Sequence, residues 1–453
     1  MRRDRGYFLL FALAALALRL LFFWKLRLVQ GDSLVYGDLA KNLIQHHAYG
    51  FSESGGIRPT LIRLPGYPAF LALVWLFAGV EHYDAVMLVQ IALDVATCFV
   101  VAALAFELAG GRAARWAFAL TALCPFLANY AATPLTETLE VFFTALAFYC
   151  AARACRAADD LRWWSGCGAA VAACILLRPD GGLVLAALGV YFAVRLARTV
   201  EKKRVFAAGV LVALFALAPL APWALRNWRV FHVFEPLAPK SASDPGEVVT
   251  YGYIGWLKTW VAEFSDVYEF AWPVAGAELD EDNLPARAWD SPQQRDRTIE
   301  LIEEYNDDEH VLEPELDAKF AALARERIAG HRFRYYVGLP ALRLADMWLR
   351  PRTEALPVEA RWWDFELDPR DAAISIAYGV LNLLYLAAAA LGVLTRRVRL
   401  GWLLILFVVL RSALLWTVDG PESRYTLECF PVLLVFAAAW LARESGVATP
   451  AAE

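Results

Sequence analysis

Charged side chains stand at the ends of many long apolar runs in this chain, where a bilayer makes them costly unless they are paired or hydrated. The residues that share this position are Asp32, Asp38, Arg63, Glu137, Arg178, Asp180, Arg226, Glu422 and Arg424. Arginine forks match the oxygens of a phosphate group. A carboxylate beside them could accept a proton or contact a divalent cation. This combination predicts a polar site that transfers a group from a phospholipid-like donor.

The elements that must position these residues are apolar runs of roughly the 20 residues that cross a bilayer core. They cover residues 7–24, 85–109, 116–132, 135–154, 164–178, 181–198, 205–224, 371–394, 400–417 and 425–442. The 453 residues are 59% hydrophobic, and the mean hydropathy is +0.43. We therefore predict an all-α polytopic membrane protein, with a bundle of about 10 to 11 transmembrane helices and juxtamembrane helices on its outer face.

Basic clusters mark the cytoplasmic loops of a membrane protein, and here they fall in alternate loops. The first apolar run lacks a small-residue cleavage site after it, so we expect it to stay as the first helix. Both chain ends are then cytoplasmic, and the charged residues above lie on the outer face. The apolar segment 65–79 is short. It is either a juxtamembrane or half-inserted helix, which we favour, or a true crossing.

Three regions follow from this topology. Residues 1–225 form an N-terminal transmembrane module whose first outer loop is 25–84, and residues 371–453 supply the C-terminal transmembrane helices. Residues 226–370 form a large outer loop with acidic stretches and apolar residues at helical spacing. We expect this loop to be built from short helices packed on the membrane domain, not from an independent sheet domain.

Net charge and cysteine content exclude several other classes. A formal net charge of −5 argues against a nucleic-acid partner. The seven cysteines lie in or at the ends of apolar runs, without a zinc-type CxxC spacing, and read as small buried hydrophobes. A divalent cation is the one cofactor that the acidic residues suggest.

Several short stretches, in a fixed order along the chain, resemble the GT-C class of membrane glycosyltransferases. They are DSLVYGDLAKNL from Asp32, AYGFS, RLPGYP from Arg63, TETL from Thr136, LRPD with Arg178 and Asp180, APWALRN from Ala221, and ESRY from Glu422. The branch that looks closest contains bacterial aminoarabinose transferases, rhizobial lipopolysaccharide-core transferases and protein O-mannosyltransferases. The likeness spans most of the chain and is weakest over residues 240–320.

This resemblance implies a polyprenyl-phosphate sugar donor and an inverting transfer on the outer side of the membrane. The acceptor would be a glycan, a lipid or a protein, and the setting would be a bacterial inner membrane with the active site facing the periplasm. In relatives, an Asp of the first outer loop is the proposed base or metal contact, and Asp32 matches it. Ser33 stands where many relatives have a second acid, which weakens a two-carboxylate metal site and leaves Asp38 as a substitute.

We predict Asp32, Asp38 and Glu137 as catalytic residues, with Asp32 as the general base that activates the acceptor. The predicted substrate-binding residues are Arg63, Tyr67, Arg178, Arg226, Arg424 and Tyr425. Among them, Arg226 and Arg424, with Arg63 as a third candidate, would stabilise the charge on the departing lipid phosphate.

Each of these residues also has a purely structural explanation. Asp32 could cap a helix, Glu137 could favour the dipole of its first helical turn, and Arg178 could simply pair with Asp180. Asp38 could lie on a solvated helix face. The arginines near aromatic residues could anchor the chain at the membrane interface.

Three other functions stay open at this point. A lipid-linked oligosaccharide ligase or polymerase would share the donor but differ in its acceptor. A lipid or sugar transporter would usually carry its charges near the midplane, in broken helices related by a repeat, and the sequence has no visible repeat. A non-catalytic scaffold would use the large outer loop as its binding surface.

Overall fold

A computed structural model describes residues 5–29, 31–239, 241–274, 276–307 and 310–442 of the protein. The chain forms two compact units. The first consists of Met1–Pro245, Leu383–Arg411 and Leu427–Glu453, and the second of Gly246–Asn382 and Ser412–Thr426.

The first part of the chain, up to residue 231, is a series of helices interrupted by one small hairpin. The helices are α1 (Arg5–Leu26), α2 (Asp32–His46), α3 (Gly66–Ala78), α4 (Tyr83–Ala109), α5 (Gly111–Ala122), α6 (Pro125–Ala131), α7 (Glu137–Arg156), α8 (Leu161–Leu177), α9 (Gly182–Arg198), α10 (Lys202–Leu217) and α11 (Leu220–Phe231). The hairpin strands are β1 (Gly50–Glu53) and β2 (Gly56–Pro59).

The remainder is also helical. It contains α12 (Tyr251–Leu257), α13 (Phe264–Asp266), α14 (Pro292–Asp307), α15 (Pro314–Gly330), α16 (Leu339–Leu349), α17 (Pro369–Thr395), α18 (Gly401–Leu415) and α19 (Phe430–Leu441). Short π-helical turns cover Val267–Ala271 and Arg334–Gly338, and a 3-10 helix, Ser423–Cys429, precedes α19.

Six helical segments are long and apolar enough to cross a membrane, and the bent pair of α10 and α11 makes a seventh, among the residues that the structure describes. The six are Arg5–Leu26, Tyr83–Ala109, Glu137–Arg156, Pro179–Arg198, Pro369–Thr395 and Ser423–Leu441. Three shorter apolar helices are α3, α8 and α18. The prediction of an all-α polytopic membrane protein is confirmed. The predicted 10 to 11 crossings require the shorter helices to cross as well.

Prolines break two of the runs that the sequence predicts as single spans. The run 116–132 divides into α5 and α6, and Pro125 begins α6, where its missing N–H is tolerated. The run 205–224 becomes α10 and α11, which meet at 42° beside Pro219. Proline has no N–H for the helical ladder, so both breaks have a local cause.

The hairpin was not predicted from the sequence. Strands β1 and β2 are antiparallel, with Phe51 opposite Arg58 and Glu53 opposite Gly56. Only Ser54 and Gly55 link them, and a two-residue loop of this kind is a favoured hairpin turn. The hairpin leads directly into the segment that carries Arg63.

The second unit has its own apolar core, to which α12, α14 and α15 contribute Tyr253, Trp256, Tyr305 and Phe320. None of its described residues forms a strand. This agrees with the prediction of short helices for the large outer loop.

Candidate functional site

Asp32 is the first residue of α2 and forms an ion pair with Arg63. The preceding Gly31 has a φ of 54°, a conformation that glycine adopts at little cost, and it turns the chain into the helix. The Arg63 Nη2 lies 3.0 Å from the Asp32 Oδ1, and the two side chains are 26% and 29% exposed. A carboxylate in this place gains from the helix dipole, and it stays accessible from one side.

Arg63 is held in place through its own backbone. The Tyr49 hydroxyl donates to the Arg63 carbonyl at 2.9 Å. The carboxylate of Asp244 accepts the Leu61 N–H at 2.8 Å and also accepts from Arg58 at 3.0 Å. The loop that presents Arg63 to Asp32 is therefore fixed by residues distant in sequence.

Arg226 fixes the same loop. Its Nη1 donates to the Thr60 carbonyl at 2.7 Å and its Nη2 to the Tyr49 carbonyl at 2.6 Å. The guanidinium carbon lies 5.2 to 5.4 Å from the ring centres of Tyr49, Trp223 and Phe231. These contacts occupy the guanidinium and give Arg226 a positioning role. Direct phosphate binding by Arg226 stays a prediction.

Two tyrosines pack behind the ion pair. The Tyr36 and Tyr67 rings meet edge to face at 5.0 Å, and the Arg63 guanidinium lies 6.0 Å from the Tyr36 ring. Burial raises the pKa of Tyr36, so its hydroxyl stays protonated. The Tyr67 hydroxyl donates to Gln90 at 2.6 Å, and the residue is fully buried. The predicted contact of Tyr67 with the substrate would require the Tyr67 hydroxyl to leave Gln90.

Arg178 follows the last residue of α8 and faces three acids. Its guanidinium lies 3.4 Å from Asp180, 3.7 Å from Glu140 and 3.8 Å from Glu137. The predicted Arg178–Asp180 pairing is thus present, and two acids from the first turn of α7 join it. Arg178 is 22% exposed, whereas both glutamates are buried.

Arg411 extends this network into α18. It pairs with Asp180 at 2.5 Å and with Glu428 at 3.0 Å, and its side chain is fully buried. Glu428 in turn faces Glu140. We name these six residues the arginine–acid cluster: Glu137, Glu140, Arg178, Asp180, Arg411 and Glu428.

Half of this cluster, namely Glu140, Arg411 and Glu428, was not predicted from the sequence. Glu140 stands one helical turn after Glu137, so the i, i+3 spacing puts both on one face of α7. Arg411 interrupts the apolar run of α18, and a charge inside a membrane span is a functional-site signal by itself. Glu428 lies three residues after the ESRY stretch, and the sequence alone does not distinguish its role from that of Glu422.

The Asp32–Arg63 pair and the arginine–acid cluster are neighbours. A Cβ on Gly66 would lie 2.5 Å from the Leu176 carbonyl, so α3 packs closely against the end of α8 that leads to Arg178. The Tyr36 hydroxyl interacts electrostatically with Arg63, Asp32, Arg178 and Glu137. Four of the predicted site residues therefore come together around one buried tyrosine.

Asp38 has a different local role from Asp32. Its carboxylate accepts the Ser52 N–H at 2.7 Å and the Ser52 hydroxyl at 2.6 Å. Asp38 thus attaches strand β1 to α2. Its predicted catalytic role stays a prediction, and these two bonds compete with it. Asp32, in contrast, is the first residue of α2, and the helix N-cap is Gly31.

Arg424 and Tyr425 belong to the second unit, and both contact Glu422. The Arg424 Nε lies 2.6 Å from the Glu422 Oε2, and the Tyr425 hydroxyl donates to its Oε1 at 2.5 Å. Ser423 lies between them, and its N–H donates to Glu354 at 3.1 Å. The ESRY stretch therefore leads into the 3-10 helix Ser423–Cys429 with several side-chain bonds, and its role towards substrate stays a prediction.

An apolar groove of about 620 Å³ opens beside the site in the first unit. Its walls come from the junction of α8 and α9 and from the bent pair α10–α11, and include Ile175, Pro179, Leu217 and Leu225. Pro179 directly follows Arg178, and Leu225 directly precedes Arg226. Two of the predicted substrate-binding arginines are therefore direct sequence neighbours of residues that line the groove.

The donor set for a metal ion is sparse. Within the part of the chain that the structure describes, no three His, Cys, Asp or Glu side chains are grouped in a way that could hold a metal. Asp32 has Ser33 beside it, whose buried hydroxyl makes no hydrogen bond to the described residues. A metal contact at Asp32 stays a prediction.

Residues 59–223 match the family model described as dolichyl-phosphate-mannose-protein mannosyltransferase. The matched range contains Arg63, Tyr67, Glu137 and Arg178, while Asp32 precedes it. The match covers about a third of the chain and agrees with the resemblance to protein O-mannosyltransferases. No curated protein sequence matches the chain.

Solved structures agree at the level of the fold. The archaeal oligosaccharyltransferase AglB from Archaeoglobus fulgidus superimposes with a TM-score of 0.53 at 15% identity, over 96% of this chain and 50% of that one. The apo form of the same protein gives a TM-score of 0.54 at 15% identity, over 96% and 50% of the two chains. ArnT from Cupriavidus metallidurans gives a TM-score of 0.41 at 15% identity, over 97% and 77%. The chain spans about half the length of the AglB structures, with which it shares the fold.

Proposed function

We propose that this protein is a membrane glycosyltransferase that transfers a sugar from a polyprenyl-phosphate donor to an acceptor at the outer face of the membrane. The observation that carries the proposal is the partly exposed Asp32–Arg63 pair beside the arginine–acid cluster. In this structure the acid and the guanidinium pair at 3.0 Å. An in-line displacement needs them on opposite sides of the anomeric carbon, so donor binding must separate the pair, with Asp32 towards the acceptor and Arg63 towards the phosphate.

In the proposed reaction, a hydroxyl or amine of the acceptor attacks the anomeric carbon of the sugar. Asp32 accepts the proton from the attacking group, a contribution worth about 10²- to 10⁴-fold in rate. The bond between the anomeric carbon and the phosphate oxygen breaks, and its electrons stay on the lipid phosphate. Attack from the side opposite the phosphate gives inversion at that carbon.

Arg63 is the best-placed cation for the departing phosphate, since it is partly exposed and its backbone is fixed on several sides. The fixed backbone limits the movement that the Arg63 side chain needs to meet the charge that develops on the leaving group. Arg178 is a second cation, and its three acidic neighbours hold its position. Arg226 supports Arg63 through the loop. In this assignment phosphate stabilisation falls mainly on Arg63.

The groove beside the site supports a lipid donor. Its walls are almost wholly apolar, and a polyprenyl chain needs such a surface. The description of the family model names dolichyl-phosphate-mannose, and one AglB structure is a complex with an inhibitory peptide and a dolichol-phosphate. Both point to a lipid phosphate as the carrier. We place the protein in a bacterial inner membrane, with this site facing the periplasm.

The test uses purified protein in lipid vesicles with a membrane extract as the acceptor source. Undecaprenyl phosphate that carries mannose, glucose or aminoarabinose is added, and lipid mass spectrometry measures the free undecaprenyl phosphate that is released. We expect release with at least one donor, and a rate at least tenfold lower for Arg63→Gln.

The matched control is Arg27→Gln, which removes an exposed arginine paired with Asp84. It should leave the rate unchanged. Movement of a donor across the vesicle membrane without release would support a transporter instead. Equal rates for Arg63→Gln and Arg27→Gln would remove Arg63 from the mechanism.

A further inference from the structure

One helical stretch of the second unit, residues 332–349, exposes apolar residues and buries a charge. Its exposed residues recur every three or four positions. They are Phe333, Tyr336, Val337, Ala341, Leu342, Ala345 and Leu349, and the larger ones are 40% to 75% exposed. We call this set the outer stripe. A soluble protein rarely leaves an apolar surface of this kind uncovered.

The opposite face of the same stretch is packed inward. Leu339 and Met347 are buried, and so is Arg343. The Arg343 guanidinium donates to the carbonyl of Val261 at 2.9 Å and to that of Lys258 at 2.5 Å. A helix that faced water would place its arginine outward. Here Arg343 points inward while Phe333, Leu342 and Leu349 point outward, which indicates that the outer stripe faces an apolar medium.

The end of this stretch is attached to helices of the membrane-spanning type. The side-chain amide of Asn382, in α17, donates to the Trp348 carbonyl at 2.8 Å. The Trp348 indole N–H lies 3.3 Å from the Ser412 hydroxyl in α18. Because α17 is long and apolar enough to cross a bilayer, the outer stripe ends next to a membrane helix.

A cationic cavity lies at the other end of the stretch. Arg325, Ile328, Ala329, Arg332 and Tyr336 line about 290 Å³. Neither Arg325 nor Arg332 has an ion-pair partner among the residues that the structure describes. Two guanidinium groups and a phenol without an acid partner match a phosphate diester, which carries a negative charge and several acceptor oxygens.

We propose that residues 332–349 lie in the membrane interface, with the outer stripe among the acyl chains and the Arg325–Arg332 cavity around the phosphate of an anionic phospholipid. Amphipathic helices with basic flanks bind membranes in this way, by apolar burial and by attraction to anionic headgroups. This inference does not depend on the proposed sugar transfer, since a protein with any outer-face function would need the same contact.

The first test measures immersion of the outer stripe. Spin labels are placed on Val337→Cys and Ala345→Cys, and on Val311→Cys as the control, because Val311 is also exposed but lies outside the stripe. The protein is held in bilayer nanodiscs, and the unsubstituted chain gives the background from Cys155. Collision rates with oxygen and with a water-soluble nickel chelate are compared.

We expect the oxygen-to-nickel ratio at positions 337 and 345 to exceed that at 311 severalfold, since oxygen concentrates in the acyl region and the chelate is excluded. Equal ratios at all three positions would overturn the interfacial placement.

The second test concerns the headgroup. Native mass spectrometry counts molecules of phosphatidylglycerol and phosphatidylcholine bound to the purified protein. Loss of one arginine near the membrane surface should weaken phosphatidylglycerol binding about fivefold in Arg332→Gln. Arg295→Gln, an exposed arginine on α14, should leave it unchanged. Equal binding of both lipids by the unsubstituted protein, or equal losses in the two variants, would overturn the headgroup assignment.

Discussion

Arg19 and Arg178 both lie among the helices of the first unit, but their surroundings differ in charge balance. Arg19 faces one acid, Asp94, at 2.6 Å, and both side chains are fully buried. Its remaining nitrogens donate to backbone carbonyls, including that of Thr121 at 3.0 Å. This site has one acid for one base, with short bonds on every side. It joins α1, α4 and α5.

The arginine–acid cluster is built differently. Four carboxylates share two guanidinium groups, and Arg178 lies 3.4 to 3.8 Å from its three acids. It is also the more exposed of the two arginines. The Arg19–Asp94 site shows that one acid and one base, with their hydrogen bonds satisfied, are enough to join buried helices of this protein. The arginine–acid cluster contains more acids than bases, and a reaction with a charged substrate would explain this composition.

Removing one partner of the balanced pair is expected to have the largest effect on stability. Asp94→Ala leaves the Arg19 charge buried without its acid, which costs about 3–5 kcal/mol in the free energy of unfolding. The measurement is the thermal midpoint of the purified protein, followed by tryptophan fluorescence. Asp84→Ala breaks the exposed pair with Arg27 and should cost less than about 1 kcal/mol. Similar losses in both variants would contradict the comparison.

The next largest effect is on the rate of sugar transfer, and it concerns Arg226, which fixes the loop that carries Arg63. Arg226→Lys cannot donate to the Thr60 and Tyr49 carbonyls with the geometry of a fork. Displacement of Arg63 should lower sugar transfer at least tenfold, since small errors of position are costly. Arg229→Lys, on the same helix, is the control. If the two variants transfer sugar at the same rate, the hydrogen bonds of Arg226 to the loop have no part in catalysis.

Asp346, in the second unit, is an acid with a different charge environment, and it should make the stability of the protein depend on pH. Burial raises its pKa to about 7; Arg350 opposes the shift, and Glu354 and Glu263 add to it. The folded chain then holds a proton that the unfolded chain releases near pH 4. The contribution of Asp346 to the free energy of unfolding should therefore be greatest below about pH 4. It should fall as the pH rises towards 7, by about 1.4 kcal/mol per pKa unit.

Asp346→Asn removes this titration. The thermal midpoint of the variant should change less between pH 5 and pH 8 than that of the unsubstituted protein, with both measured in one buffer series. Parallel pH profiles would show that Asp346 does not hold the proton.

The smallest effect is expected inside the arginine–acid cluster. Glu140→Gln keeps the size of the buried side chain and relieves any repulsion with Glu137 and Glu428, so the free energy of unfolding should change by less than about 1 kcal/mol. The same thermal measurement applies. A loss of stability as large as that of Asp94→Ala would mean that the arginine–acid cluster stabilises the fold in the same way as the Arg19–Asp94 pair.

The sequence predicted those site residues that stand at the ends of apolar runs. Asp32, Arg63, Glu137 and Arg178 were identified because a charge at a span terminus is conspicuous in sequence, and the structure brings them together. Arg411 was missed because its charge is inside a run that was taken as uniformly apolar. The sequence could not give the pairing of residues as distant as Asp180 and Arg411, since that depends on helix packing.

The fold shows the same division. The long helices followed from hydropathy, with ends within a few residues of the predicted ones. The breaks at Pro125 and Pro219 and the hairpin at 50–59 depend on local backbone chemistry, and the Ser54–Gly55 turn was the available signal for the hairpin. Tyr67 and Arg226 were predicted from matching stretches, which give a position in the chain but not the direction of a side chain.

The central claim is that Asp32 removes the proton from the acceptor. The direct measurement is the rate of undecaprenyl phosphate release by Asp32→Asn, with thermal midpoints to confirm folding and with Asp84→Asn as the matched control. The account predicts a loss of about 10²- to 10⁴-fold for Asp32→Asn and no loss for Asp84→Asn. Transfer by a folded Asp32→Asn protein at the unsubstituted rate would contradict it.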